Sequence, residues 1–475
     1  MLPSHPPPQA EDSVCGPRDR WSLAASGPRP IPWSSQTPTP GMLLLQRARI
    51  PAAVLPASIA DPAPDPMEPS LLCDIALDGP RIASVARSAA PGAAPPVPGA
   101  PTANAVDLDG AMVFPGFVDA HVHLDKAHTW DRAPNRTGRF SEALETLARD
   151  REGWTRRDIL RRAGFALRCA WEHGTRAVRT HVDTWLPWGE ENHAVMHELR
   201  GAWRGRIALQ TVPLTGIANY SGTEGDAIAD LSLKYGACAL GGWSPMSPDL
   251  PRQLDRLLAI ARDRGLGLDL HVDENGSPAE EVLRAVAEAV IRNRFGNPVV
   301  CGHCCSLAVQ APERQRSTIA LAREAAIRVI SLPLCNLYLQ DRRGPEFPRT
   351  PYWRGITLIH ELLDAGVPLA CASDNVRDAF HAYGDLDAAE VCIQSVRLAH
   401  LDSRLGASVG LVTSAAADIL GLPGMGRVAP GAPSQLVIFP SRSFSEFLSR
   451  PGSGRRLVDG EAIREASRPD FGELR

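Results

Sequence analysis

His121 and His123 stand two residues apart at the end of a run, Val113 to Lys126, that begins apolar and passes through Pro115-Gly116. On a β-strand, residues i and i+2 point to the same face, so both imidazoles project together. Such a pair supplies half of a tetrahedral or five-coordinate metal site. Alone, it reads more simply as two partly buried histidines with ordinary hydrogen bonds. Three further apolar runs end in acid or imidazole side chains, however: His271 with Glu274 three residues on, His303, and Ser373-Asp374. Imidazole and carboxylate ligands together suit one divalent ion, Zn(II) or Fe(II), with a coordination position left for water.

Chemistry of this kind needs strands that end at one point. From Val113 to about Leu422, apolar strand-like runs recur at 177–181, 207–213, 238–243, 266–271, 298–303, 327–332 and 367–373. Helical patterns separate them, among them 157–173, 250–264, 278–294, 312–325 and 358–365. Near-continuous apolar runs mean strands buried on both faces, as in a parallel sheet. Eight such units predict an α/β fold of the (β/α)8 TIM-like barrel type, whose catalytic residues sit at the C-terminal strand ends. An open doubly wound sheet lacks its Gly-x-Gly-x-x-Gly turn here.

Either side of the barrel the pattern changes. Residues 42–110 read as short strands with turns at Asp78-Gly79 and Asp109-Gly110, and the Ala/Pro-rich stretch 89–103 as a loop. Ser434 to Phe439 is strand-like, and Arg456 to Ile463 reads as a hairpin. The two ends are expected to join in one sheet, forming a small β-sandwich domain from 42–110 and 423–475 around a catalytic domain at 111–422. Residues 1–41, rich in Pro and Ser, read as a disordered tail without the charged-then-apolar order of a secretory signal. The strand-like run opening at Met42 makes that residue a candidate translation start.

With these elements in place the side chains take roles. An ion held by His121, His123, His271 and Asp374 lowers the pKa of a bound water toward neutrality. Asp374 can accept that water's proton. His303 can hold or deprotonate the water and steady a developing oxyanion. Glu274, in a dry pocket, can carry a proton to a substrate ring nitrogen and then to the leaving group. His181 and Asp183 read as supporting residues rather than metal ligands, and Asp273 as a residue that could equally hold a loop. Cys301, Cys304 and Cys305 lack a second Cys pair at zinc spacing and read as buried thiols.

Bulk properties narrow the classes further. The 475 residues are 44% hydrophobic and 22% charged, with a net charge of -4. That balance gives no reason to expect nucleic acid or an anionic membrane as a partner. No apolar run approaches the roughly 18 residues of a membrane span. Ten cysteines, several inside apolar runs, read as reduced thiols of a cytoplasmic protein. Assembly is left open between monomer and homo-oligomer.

Taken together, these residues resemble the amidohydrolase superfamily, and within it the bacterial cytosine deaminases, from about Met42 to Ile463. The resemblance rests on 115–125, Arg179-Thr180-His181-Val182-Asp183, His271-Val272-Asp273-Glu274, 333–340, Arg354-Gly355-Ile356-Thr357 and Ser373-Asp374-Asn375. It implies one metal at His121, His123, His271 and Asp374, acid-base work by Glu274 and His303, and a small nitrogen heterocycle as substrate. The sequence departs where substrate is chosen. The glutamine that reads the pyrimidine amide edge in cytosine enzymes is missing from 212–217. Asn375 replaces an acid, Phe380 a tryptophan, and Lys126 a threonine, the last as in relatives that hydrolyse substituted triazines. Gly216, Asn375, Phe380 and Lys126 are therefore the expected substrate-selecting positions. The leading expectation is deamination of cytosine or a related cyclic amidine. The rival is cleavage of N-alkylamino or amide bonds on a triazine-like ring. A two-metal cyclic amidase would need a lysine after strand four, where 241–245 has none. A non-catalytic scaffold would be expected to have lost ligands.

Overall fold

The computed structural model describes residues 42–61, 65–89, 104–186, 189–452 and 454–475. The tail expected at 1–41, and all but Ala89 of the loop expected at 89–103, lie outside the described residues.

Eight strands alternate with helices through the middle of the chain: β6 (Phe117–Val122), β7 (Thr175–Asp183), β8 (Ala208–Leu214), β9 (Ala239–Trp243), β10 (Gly267–Val272), β11 (Val299–His303), β12 (Arg328–Ser331) and β13 (Leu369–Cys371). All their pairings are parallel. They form two sheets, β6-β7-β8 and β9-β10-β11-β12-β13. The two seams are spanned by single parallel bridges, Gly216↔Trp243 and Val122↔Asp374. The expected α/β alternation is present, while the hydrogen-bonded ladder is not continuous around all eight strands. β6, β7, β10 and β11 are buried along their whole length, as parallel strands covered on both faces must be.

The chain ends share one further sheet of eight strands. β1 (Leu43–Pro51), β2 (Ser70–Asp78), β3 (Arg81–Arg87), β4 (Ala105–Asp107) and β5 (Met112–Pro115) precede the parallel strands; β14 (Leu436–Phe439), β15 (Arg456–Asp459) and β16 (Ala462–Glu465) follow them. β14 pairs antiparallel with β5, joining the two ends as expected. A second layer that would make this sheet a sandwich is not among the described sheets.

The strand expected to open at Val113 is in fact two, divided at Gly116. β5 belongs to the end sheet and β6 to the parallel sheet, so the backbone must change partners within one residue. A Cβ at Gly116 would lie 2.4 Å from Cγ of buried Arg176, whose guanidinium stacks 3.6 Å from the Trp171 ring centroid. Only glycine allows that approach. Phe114, Phe117, Phe439 and Phe447 pack across the junction with centroids 4.9–6.4 Å apart.

The helix expected from Pro278 begins only at Val282. Asp273, beyond the end of β10, accepts from the Val282 and Leu283 amides at 2.7 and 3.0 Å and so caps that helix. No helix among the described residues is long and apolar enough to cross a membrane.

His193, in the helix Gly189–Ala202, is buried against Thr184 Oγ1 at 2.9 Å, and burial lowers its pKa from 6.5 to about 4. The folded value lies below the unfolded one, so its contribution to stability is lost as pH falls from about 6.5 to 4. Denaturant melts at pH 7 and pH 4.5 should differ less in His193→Gln than in the parent, by roughly 2–3 kcal/mol at most.

Candidate active site

Four strands deliver five polar side chains to one end of the parallel strands. His121 lies on β6, with His123 just past its end. His271 is on β10, His303 ends β11, and Asp374 follows β13 by three residues. The Asp374 amide donates to the His121 carbonyl at 2.9 Å, so the seam between β13 and β6 closes at the site itself. Asp119, buried on β6, accepts from the Ser373 amide at 2.9 Å and fixes the residue before Asp374. Asp273, His303 and Asp374 all have left-handed φ, 54°, 68° and 67°. Non-glycine residues there carry strain that packing must hold, a common feature of functional sites.

His121 Nε2 is 3.1 Å from His271 Nε2, which is 3.3 Å from His123 Nε2. Asp374 Oδ1 lies 3.2 Å from His123 Nε2 and 3.7 Å from His121 Nε2. Ligand atoms placed 2.0–2.1 Å from a tetrahedral Zn(II)-type ion are about 3.3 Å apart, so these spacings fit one coordination sphere. The chemistry of the donors agrees. Burial, reinforced by the neighbouring cationic groups, holds His121, His123 and His271 well below their ordinary pKa. They are neutral at pH 7 and keep a lone pair for a metal. Burial pushes the Asp374 carboxyl up to about 7.

His303 sits beside this set. Asn336 Nδ2 donates to its Nδ1 at 3.0 Å, which places the ring proton on Nε2, buried and without a partner among the described residues. Burial lowers its pKa to about 3. Glu274 Oε1 is 3.6 Å from His303 Nδ1. Burial, with the Asp374 charge adding, holds the Glu274 carboxyl well above the usual range, so it carries a proton it can give.

His181 packs more closely on the site than its sequence suggests. Its ring centroid is 4.0 Å from that of His121 and 4.7 Å from that of His271, and neither nitrogen has a hydrogen-bond partner among the described residues. Its Nε2 lies 3.6 Å from Asp269 Oδ1, and Asp269 is bound by Arg179 at 2.8 Å. Cys301, Cys304 and Cys305 are buried free thiols whose pKa values burial raises well above normal. Asn336 and Asp119 were not singled out by sequence reasoning. Asn336 stands in the stretch 333–340, and its place beside a site histidine becomes visible only in three dimensions.

A cleft of about 410 Å³ opens over the site, lined by His123, His271, His303, Asp374 and Glu274 at its base. Lys126, Asn375 and Phe380 line its wall, and Phe140, Trp185 and Trp243 its mouth. Asn375 is fixed by donating to Asp378 Oδ2 at 2.7 Å. Gly216 is not among the lining residues. It bridges Trp243, and Leu214 and Trp243 provide that wall instead.

Strand-end imidazoles and a carboxylate under a cleft define a metal-dependent hydrolase. A model of the amidohydrolase family matches residues 104–194 and 197–455, and the chain belongs to that family as an enzyme acting on C–N bonds. A pterin deaminase of Rhizobium rhizogenes is 45% identical over 371 residues, covering 78% of this chain and 84% of the relative. An N-isopropylammelide isopropyl amidohydrolase of Pseudomonas sp. is 25% identical over 351 residues, covering 71% of this chain and 82% of that one. The crystal structure of a 5-methylcytosine deaminase from Klebsiella pneumoniae, liganded with 5-fluorocytosine, superposes with TM-score 0.76 at 23% identity, covering 90% of this chain and all of the other. That last likeness is one of fold.

His271→Asn should lose metal on desalting, and activity with it. Glu274→Gln should keep its metal and lose about 10²–10⁴-fold in kcat, the usual range for a general acid-base group. Metal analysis beside steady-state kinetics separates the two. Metal retained in full by His271→Asn would contradict this assignment.

Proposed function

We propose that the enzyme deaminates a pterin, replacing the 2-amino group of a 2-amino-4-oxopteridine ring with oxygen and releasing ammonia. The observation that carries this reading is the 45% identity, over 78% of the chain, to a protein named pterin deaminase. Cytosine, the substrate first expected, remains a smaller ring of the same amidine type. The cleft volume and its Phe140, Trp185 and Trp243 rim suit a flat bicyclic ring.

In this reading the parallel strands from β6 onward close into a (β/α)8 barrel ending near 422, and β1 to β5 with 423–475 build the sandwich-type end domain. His121, His123, His271 and Asp374 would hold one divalent ion, Zn or Fe. Such an ion supplies Lewis acidity and a nucleophilic water near neutral pH. Asp374 is placed to take a proton from the water that adds to the amidine carbon. Glu274, protonated at the outset, gives its proton to the adjacent ring nitrogen. Left as a carboxylate, it takes the proton remaining on the attacking oxygen and passes it to the departing amine, so that ammonia leaves and a lactam remains. The proton held by Asp374 then restores Glu274. His303 directs Nε2–H toward the developing oxyanion, an alignment set by Asn336 on its other nitrogen. Lys126, Asn375 and Phe380 contact the ring. A cytoplasmic location fits reduced, buried thiols.

N-isopropylammelide hydrolysis is the second reading, favoured by Lys126 and by the 25% identical relative. Ammonia release decides between them. Pterin should be turned over with kcat/KM at least about 10²-fold above cytosine and N-isopropylammelide, the discrimination expected of a site with ring-specific hydrogen bonds. Isopropylamine release without turnover of pterin would reverse the order.

A further inference from the structure

A buried ion pair lines the cleft beyond the metal-binding residues. Lys126 Nζ lies 2.8 Å from Asp183 Oδ1, and the two residues are 3% and 5% exposed. Burial opposes the lysine's charge, but Asp183 and then Asp125 outweigh it and hold the ammonium well above its ordinary pKa. The pair is rigidly mounted. One Asp125 oxygen accepts from the Lys126 amide at 2.9 Å and the other from the Asp183 amide at 2.7 Å. Buried Arg162 grips the same loop through the Asp125 and Ala127 carbonyls, at 2.7 and 2.8 Å. Phe380 packs 5.5 Å from Lys126 Nζ, measured to the ring centroid.

This pair is left incomplete by the protein. Asp183 Oδ2 is buried and has no hydrogen-bond partner among the described residues. An ammonium has three N–H donors, and only the one to Asp183 is used by a described side chain. A purely structural buried ion pair gains stability only when its remaining lone pairs and protons are satisfied. Both residues line the cleft, so a ligand seated there lies beside the unsatisfied groups.

We propose that Lys126 and Asp183 together read the lactam edge of the substrate ring, Lys126 donating to the 4-oxo oxygen and Asp183 accepting from the neighbouring ring N–H. The proposal rests on the pterin reading and deepens it. A side-by-side donor and acceptor match a –NH–C(=O)– edge, and they come from the loop after β6 and the end of β7. A 2,4-diamino ring inverts the pattern, presenting a ring lone pair to Asp183 and an amino group to Lys126. Each mismatch leaves a buried polar group unpaired.

The test compares the KM for pterin with the Ki of 2,4-diaminopteridine in the metal-loaded enzyme. Asp183→Asn should raise the pterin KM by about 10–100-fold while the diamino Ki stays level or falls, because an amide can donate to the ring lone pair. Metal content and kcat should change little. A shift of both ligands by the same factor, or no shift, would overturn the proposal. Should the single variant lose its fold, Lys126→Gln with Asp183→Asn removes both charges and reads the same ratio. A merely structural pair predicts the parental ratio in that double variant, and the proposal predicts an altered one. If the parent enzyme rejects pterin, the functional reading fails by itself. The ratio can still be measured on whichever 2-amino-4-oxo ring the enzyme accepts.

Discussion

Three imidazoles and a carboxylate share a space only a few ångströms across, and the rest of the structure answers to that constraint. Nitrogens 3.1–3.3 Å apart cannot all be protonated, and burial enforces neutrality on each. The strands that carry them must therefore end at one depth. The β13-to-β6 seam meets this demand directly, since the Asp374 amide bonds the His121 carbonyl and Asp119 holds Ser373. Backbone strain at Asp273, His303 and Asp374 is the local cost of turning these side chains inward.

Much of this was legible in the sequence, because its signals are local. The His-x-His of a strand end, apolar runs of strand length and intervening helical periodicity each depend on neighbours along the chain. The hairpin at 456–463 and the joining of the two chain ends followed from turn residues and from β units too short to close a core alone. The break at Gly116 did not. It depends on Arg176, sixty residues away, pressing its stem against the Gly116 backbone. The late start of the helix at Val282 likewise depends on the Asp273 carboxylate, whose capping role the pattern at 278–294 does not reveal.

Within the site, residue types drew attention to His121, His123, His271, His303, Glu274 and Asp374, which the fold brings together, but partnerships between elements were hidden. Asn336 sets the tautomer of His303 from a separate element, the short helix Pro333–Leu339. His181 lies ring-to-ring with His121 because adjacent strands β6 and β7 align them. Lys126 was visible as an unusual residue after His123, whereas its partner Asp183 looked like a supporting acid at the end of another strand. Gly216 was expected at the substrate by position after β8, yet its backbone is engaged with Trp243 and the cleft wall is built by larger neighbours.

The central claim is that His121, His123, His271 and Asp374 form one coordination sphere in which His303 and Glu274 are not ligands. Anomalous diffraction from crystals of the metal-loaded protein, collected above and below the absorption edge of the metal, tests it most directly. The account predicts one peak about 2.0–2.2 Å from the three Nε2 atoms and an Asp374 oxygen. A peak at Cys301, Cys304 and Cys305, or a second ion bridged to the first, would contradict it.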